Sequence, residues 1–257
     1  MGPATGEEID VTSDRALKQA VRARAARTGE KYTQARRAVL AADATSATAA
    51  AGAEFDRQQR TLVERGYAAA AGLAEARFVA LLAPLREAAC ALAADADAER
   101  GTFGFVIVVR AEVVAPASAI ALVRRRERAG LLAMLTADEL ATFAPIAAVR
   151  VPAGDVYLAS AVDSGRGTRN VTPDDGVAQI LADGRSPLTV EEGIALITQF
   201  PEAVATNGGI SLAGSRCGDR RVTAVWISRG APKLGWCWAG NPHTWLGIGS
   251  CARRLVA

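Results

Sequence analysis

An α+β fold is predicted for this chain. A basic helical hairpin and further helices come first, followed by a mixed α/β domain whose last part is β-rich and holds most of the tryptophan and cysteine. Three observations predict it. Residues up to about 100 carry helical spacing and helix stop signals. At Phe103 the pattern changes to short, continuous, β-branched runs. Beyond that point a threonine followed three residues later by an acid recurs between the runs, as helix starts do when helices alternate with strands.

The elements follow in order. Asp14 can cap a helix from about Arg15 to Thr28, and Gly29 stops it, because glycine accepts the left-handed turn past a helix end. A second helix is expected from Tyr32 to Ala42. The Ala/Thr/Ser stretch Asp43–Ala53 has no large side chain to bury and reads as a linker or a weak solvated helix. Phe55, Gln59, Leu62 and Val63 fit an amphipathic helix ending near Gly66. Leu73 to Ala94 is helical with a stripe of Phe78, Leu81, Leu82 and Leu85, and Pro84 should kink or split it. Strands are expected at Phe105–Val109, Val149–Val151, Val156–Val162, Ile210–Ala213 and Val222–Ser228. Helices begin at Thr136-Ala-Asp-Glu139, Thr172-Pro-Asp-Asp175 and Thr189-Val-Glu-Glu192, where hydroxyl and carboxylate satisfy the first-turn amides. The expected organisation is a basic arm over 1–42, a linker over 43–53 and an α+β domain over 54–257. Within that domain, 54–100 is helical and 101–257 mixed.

Charge is unevenly placed. Residues 15–42 hold Arg15, Lys18, Arg22, Arg24, Arg27, Lys31, Arg36 and Arg37 against Glu30 alone, a net +7. Beyond residue 42 the 22 basic and 22 acidic residues cancel, so the basic character belongs to one segment. Glu7, Glu8 and Asp10 stand where a secretory signal would be basic and then apolar, and no apolar run reaches the ~20 residues of a membrane span. Four cysteines do not make a disulfide framework in a chain of this length. A cytoplasmic protein with free or metal-bound thiols, not held in a membrane, is expected.

The reactive side chains concentrate at the C-terminal end. Cys217, Cys237 and Cys251, the single histidine His243, and all four tryptophans lie there. The ligand types Cys217, Cys237, His243 and Cys251 match a zinc set, but the spacings of nineteen, five and seven residues contain no tight knuckle, so loops would have to assemble it. Cys237 or Cys217 beside His243 is the candidate catalytic pair for thiol chemistry. Arg216, Arg220, Arg221 and Lys233 are the candidate anion-binding residues, among glycines that let loops approach closely. The same four residues in the zinc and thiol readings have a plainer use as small buried groups packed among tryptophans. The acidic pairs Asp174/Asp175 and Glu191/Glu192 are accounted for as helix-start residues. Arg124, Arg125, Arg126 and Arg128 form a dense run that reads as a solvated face able to meet phosphate.

Two stretches carry resemblances. Leu17 to Leu40, through Ala25-Ala-Arg-Thr-Gly-Glu30, Thr33, Ala35 and Ala38-Val-Leu40, resembles the helical half of ribbon-helix-helix antitoxins of the VapB type. That resemblance implies a strand before the helices, here Glu8–Thr12, although its acids oppose DNA and no base-contacting residue carries over. About Phe55 to Arg254 resembles an uncharacterised family of high-GC Gram-positive bacteria. The carrying stretches are Asn170-Val-Thr-Pro173, Arg185-Ser-Pro-Leu-Thr189, Ser215-Arg-Cys-Gly-Asp-Arg-Arg221 and Ala231-Pro-Lys-Leu-Gly-Trp-Cys-Trp-Ala-Gly-Asn-Pro-His-Thr-Trp-Leu-Gly247. It implies no activity.

Three functions are consistent with these features. The first is a binding protein whose basic arm docks on nucleic acid, DNA or structured RNA such as ribosomal RNA. The second is a thiol- or zinc-dependent enzyme acting on an anionic substrate at the Cys/His/Trp cluster. The third is an adaptor that presents its tryptophan-rich end to a protein partner.

Overall fold

A computed structural model describes the backbone of residues 6–257 and the side chains from Asp14 onward. The chain divides into two compact units, 1–50 and 51–257. Helix α1 spans Gly6–Thr28 and helix α2 spans Tyr32–Glu64. The first unit is a hairpin of α1 and the start of α2. Its turn is made by Gly29 at φ 73°, whose N–H returns to the Ala25 carbonyl. One expectation changes here, and a second narrows to one of its alternatives. Residues 8–12 are helical and form no antitoxin-like strand, since α1 begins at Gly6. Residues 43–53 continue α2 without interruption, the helical one of the two readings given above: alanine favours helix over the exposed residues 43–50, and Ala51 begins the buried stripe.

The second unit begins inside α2, where Ala51, Phe55, Gln58 and Leu62 form one buried stripe at helical spacing. Short helices follow: α3 Tyr67–Ala70, α4 Glu75–Leu82 and α5 Leu85–Cys90. The break between α4 and α5 falls at Ala83–Pro84, where proline removes a helical donor. Next come β1 Ala96–Asp97, β2 Thr102–Val109, α6 Pro116–Leu122, β3 Arg124–Arg125, β4 Arg128–Ala129 and β5 Leu131–Leu132. They are followed by α7 Ala137–Ala141, β6 Ala144–Pro145, β7 Val156–Asp163, α8 Pro173–Ala182, β8 Ser186–Pro187 and α9 Val190–Gln199. The chain ends through β9 Gly209–Leu212, β10 Ser215–Arg216, β11 Arg221–Ser228, β12 Ala231–Trp238, β13 Leu246–Ile248, β14 Ser250–Cys251 and β15 Arg253–Leu255.

Two sheets carry the unit. The first has the order β1-β2-β7-β14-β8, with β15 continuing along β7, and the second has the order β13-β9-β11-β12-β5. Helix α9 packs against β2 of the first sheet and against β9 and β11 of the second. Nine of its ten residues are buried, as suits a helix enclosed on all sides. Gly193 is required there, since the Leu212 side chain fills the space a Cβ would take. The second sheet is buried on both faces. Ile210, Leu212, Val225 and Leu234 join the main core. Val222, Ala224, Cys237, Leu246 and Ile248 join a smaller core with Ile180 of α8, lined by Trp226 and Trp245.

The three threonine helix starts form as the sequence implies, with full capping boxes at Thr136/Glu139 and Thr189/Glu192. At Thr172 the hydroxyl accepts from the Asp175 amide. Val149–Val151 forms no strand. Val149 closes a turn by donating to the Ile146 carbonyl, and it fills buried space from there.

One strand edge is closed by a side chain. Beyond the short β1, the outer edge of β2 has no strand beside it. There Gln58 accepts from the Ile107 amide at 2.9 Å and donates to the Phe105 carbonyl at 2.8 Å. Its carboxamide takes the place of a neighbouring strand.

Candidate functional site

The hairpin of α1 and α2 is thinly packed. Val21 and Ala35 are fully buried, and Leu17, Ala25, Ala38 and Val39 are half-buried. Leu40 stays 40% exposed, so it lies outside the hairpin contact. Arg24 is held bidentately by Glu30 at 2.9 and 3.1 Å, and Lys18 pairs with Asp14. The Arg24 bond holds the Glu30 carboxyl below its usual range. Arg15, Arg22, Arg27, Lys31, Arg36 and Arg37 remain exposed with no ion pair among the described side chains. Arg15 and Arg22, seven residues apart, share one flank of α1 with Lys18 between them.

The C-terminal cluster does not assemble as a ligand set. Among the described residues no three His, Cys, Asp or Glu side chains come together where they could hold a metal ion. Each thiol instead has its own surroundings. Cys217 donates to Asp219 Oδ1 at 3.2 Å, and burial followed by that bond pushes its pKa up. Cys237 on β12 touches Ser211 Oγ at 3.6 Å in the smaller core, and burial raises it. Cys251 on β14 is fully enclosed by the main core, and burial pushes it up to about 12. Burial therefore opposes the thiolate that a nucleophile or a metal ligand requires. His243 lies in the β12–β13 loop, its ring edge-on to Trp245 at 5.8 Å, with Nε2 buried and unpartnered. Its carbonyl accepts from the Asn170 amide, and Thr168 Oγ1 accepts from the Ile248 amide. The turn Gly165–Asn170 is thereby zipped to the 243–248 loop. Gly247 is obligatory in that contact, since a Cβ would stand 2.0 Å from the Gly165 carbonyl oxygen.

The four candidate anion-binding cations divide. Arg216 is held by Asp174 at 2.9 Å, and Arg221 is held by Asp219 at 2.8 Å and Glu139 at 3.1 Å over the Phe143 ring. Arg220 and Lys233 make no ion pair among the described residues. The tryptophans form two edge-on pairs, Trp226 with Trp245 and Trp236 with Trp238. Trp236 Nε1 donates to the Met134 carbonyl, and Trp238 is 46% exposed.

Sequence reasoning took Glu192 for a cap and gave Arg254 no role. Glu192 is a cap, and it is also fully buried, binding Arg254 through two nitrogens and accepting from the Tyr157 hydroxyl at 2.8 Å. Arg254 also reaches Ser186 Oγ and the Pro187 carbonyl. This network ties the last strand to the central helix. Only the pairing of a buried helix start with a late arginine could have signalled it, and sequence distance hides such pairs. Glu191 faces a small cavity lined by Tyr67, Val109 and Val114 and accepts from the Ala111 amide at 2.7 Å.

A family model described as a family of unknown function (DUF5701) matches residues 61–257, and the chain belongs to that family. No curated protein and no solved structure matches the chain. The basic hairpin lies outside the matched residues. Among the described residues no helix is long and apolar enough to cross a membrane.

Proposed function

We propose that this protein docks on duplex nucleic acid, DNA or structured RNA, through its basic arm, residues 15–42. One observation carries the reading: six exposed cations on a two-helix hairpin make no ion pair among the described side chains, in a chain that is neutral beyond residue 42. Cations free of acids are available to displace counterions from phosphates, which drives sequence-independent binding. The helical course of residues 8–12 leaves no ribbon to enter a groove, so the arm contacts backbone rather than reading bases. The arm acts as an addition to the family domain, and the protein works in the cytoplasm, where its four free cysteines stay reduced.

The test is a salt titration with the full chain and a short duplex, as DNA and as RNA. Replacing Arg15, Arg22, Arg36 and Arg37 with glutamine should lower the slope of log affinity against log salt by about 3.6, at ~0.9 per phosphate contact on DNA. An unchanged slope and affinity would refute the proposal. A preference for one duplex names the source of the phosphates.

A further inference from the structure

The family domain carries a second cationic surface. Strands β3 and β4 form a hairpin of sequence Arg124-Arg-Arg-Glu-Arg128, with Arg126 at φ 52° in its turn. The hairpin packs against β12 near the β11–β12 turn, where Arg229 sits exposed at φ 51°. The contact is close, since a Cβ on Gly230 would stand 3.3 Å from Cδ and Nε of Arg128. Lys233 follows two residues into β12. Arg124 is occupied by the carbonyls of Ala121 and Val123, which end α6. Arg125, Arg126, Arg128, Arg229 and Lys233 make no ion pair among the described residues. Glu127 is the one acid within the hairpin.

The same edge changes character along β12. Ala133 donates to the Leu234 carbonyl, so Leu234, Trp236 and Trp238 turn their peptide groups away from β11 and toward the sheet edge. Strand β5 covers only Lys233 and Leu234. Beyond it the indoles of Trp236 and Trp238 lie 4.7 Å apart, edge to face. Met134 at 62% exposure and Trp238 at 46% leave an apolar ledge in solvent. Cations thus stand at one end of β12 and an open aromatic ledge at the other. From Ala231 to Trp238 the strand spans roughly 23 Å at ~3.3 Å per residue. That is the reach of at most about seven nucleotides at the ~3.4 Å spacing of a stacked strand.

We infer that this edge binds single-stranded nucleic acid, with phosphates held by the β3–β4 hairpin and the β11–β12 turn and an unpaired base stacked on Trp238. Charge selects a polyanion, and the exposed indole selects one with planar faces that a duplex keeps stacked inside itself. The surface shares no residue with the basic arm, and the inference holds whether or not the arm binds duplex.

The test uses the full chain with a fluorescein-labelled oligothymidylate of about twelve nucleotides and a duplex of equal length. Changing Arg125, Arg126, Arg128 and Arg229 to glutamine should weaken oligothymidylate binding at least tenfold and lower the salt slope by about 2.8, at ~0.7 per phosphate on single strands. The double variant Arg126→Gln/Arg229→Gln alters two exposed turn residues and serves if the fourfold change disturbs folding, with half that slope change expected. Trp238→Ala should lose about tenfold in affinity and most of the tryptophan quenching that oligothymidylate produces. The arm variant should keep both signals. Unchanged oligothymidylate affinity in the hairpin variants, or tryptophan emission unmoved at saturation, would overturn the inference. Equal competition by polyglutamate at matched charge would also overturn it, since an acidic protein face would then suffice. Loss of duplex binding in the arm variant bears on the arm alone, so the two readings fail separately.

Discussion

Replacing Gln58 with leucine tests whether one side chain closes the edge of the first sheet. Gln58 is fully buried, and the two residues it bonds, Phe105 and Ile107, are 1% and 0% exposed. Leucine keeps the bulk and the helix propensity but removes both partners. The Ile107 amide and the Phe105 carbonyl then stay buried without hydrogen bonds, at about 1–3 kcal/mol each, or roughly 4 kcal/mol together. For a protein of this size that lowers the melting temperature by about 8–16 °C. Glutamate gives a sharper contrast. Its ionised carboxylate would face the Phe105 carbonyl and Glu54 Oε1, both of which now accept from Gln58 Nε2. The charged form is disfavoured in the fold, so the new carboxyl's folded pKa lies above its unfolded value near ~4.3. Stability of Gln58→Glu is therefore lowest at neutral pH and recovers as pH falls through that raised pKa, where a proton restores a donor. Thermal and urea melts between pH 5 and 8 measure both variants. A leucine variant within about 0.5 kcal/mol of the parent would show that the β2 edge does not depend on this residue.

Alkylation followed by mass analysis should label Cys90 and Cys217, both half-buried, in the folded protein, with Cys217 slowed by its raised pKa, while Cys237 and Cys251 react only in denaturant; native labelling of Cys237 or Cys251 ahead of Cys90 would reinstate a thiol site. Burial holds the Glu191 carboxyl above its usual range, so the fold takes up its proton before the unfolded chain does and gains stability as pH falls through the folded value. Glu191→Gln should be more stable than the parent at neutral pH, with the advantage shrinking toward the ordinary carboxyl range, and superimposable stability–pH curves would contradict this.

Much of the fold was legible because it is written in local chemistry. Gly29, Pro84 and the threonines at 136, 172 and 189 act within one helical turn, and each ends or starts an element where its own stereochemistry demands. The misses need information that is not local. Asp43–Ala53 has no large side chain, which leaves a linker and a solvated helix equally open, and the helix forms because alanine favours it and Ala51 is buried. Strand β12 was hidden by Pro232 and Gly235. Ala239 donates to the Arg220 carbonyl, so the odd-numbered residues of β12 bond β11 and Pro232 turns its missing N–H outward, where no partner is lost. Gly235 makes room for the Trp226 ring, which would stand 2.5 Å from a Cβ there. The buried glutamine was placed one position off, at Gln59, because amphipathic spacing alone cannot tell which of two adjacent glutamines completes the stripe.

The candidate sites show why density along a sequence differs from convergence in space. Trp236 and Cys237 are neighbours in the chain, but a strand sends successive side chains to opposite faces. Trp236 packs toward the main core and Cys237 into the smaller one. Three cysteines within thirty-five residues therefore reach different surroundings, and the ligand types of a zinc set are present without its geometry. Charge behaves in the opposite way. Counting beyond residue 42 gives zero, which hides any basic surface. Pairing in the fold removes the hiding: Asp56, Asp174, Asp219 and Glu192 are each committed to an arginine, and the cations of the β3–β4 hairpin and the β11–β12 turn are left over. A neutral total is thus the sum of neutral pairs, a cationic edge and acids elsewhere in the sequence, such as Glu75, Glu87, Asp183 and Glu202, that make no ion pair among the described residues, and a polyanion would meet the edge.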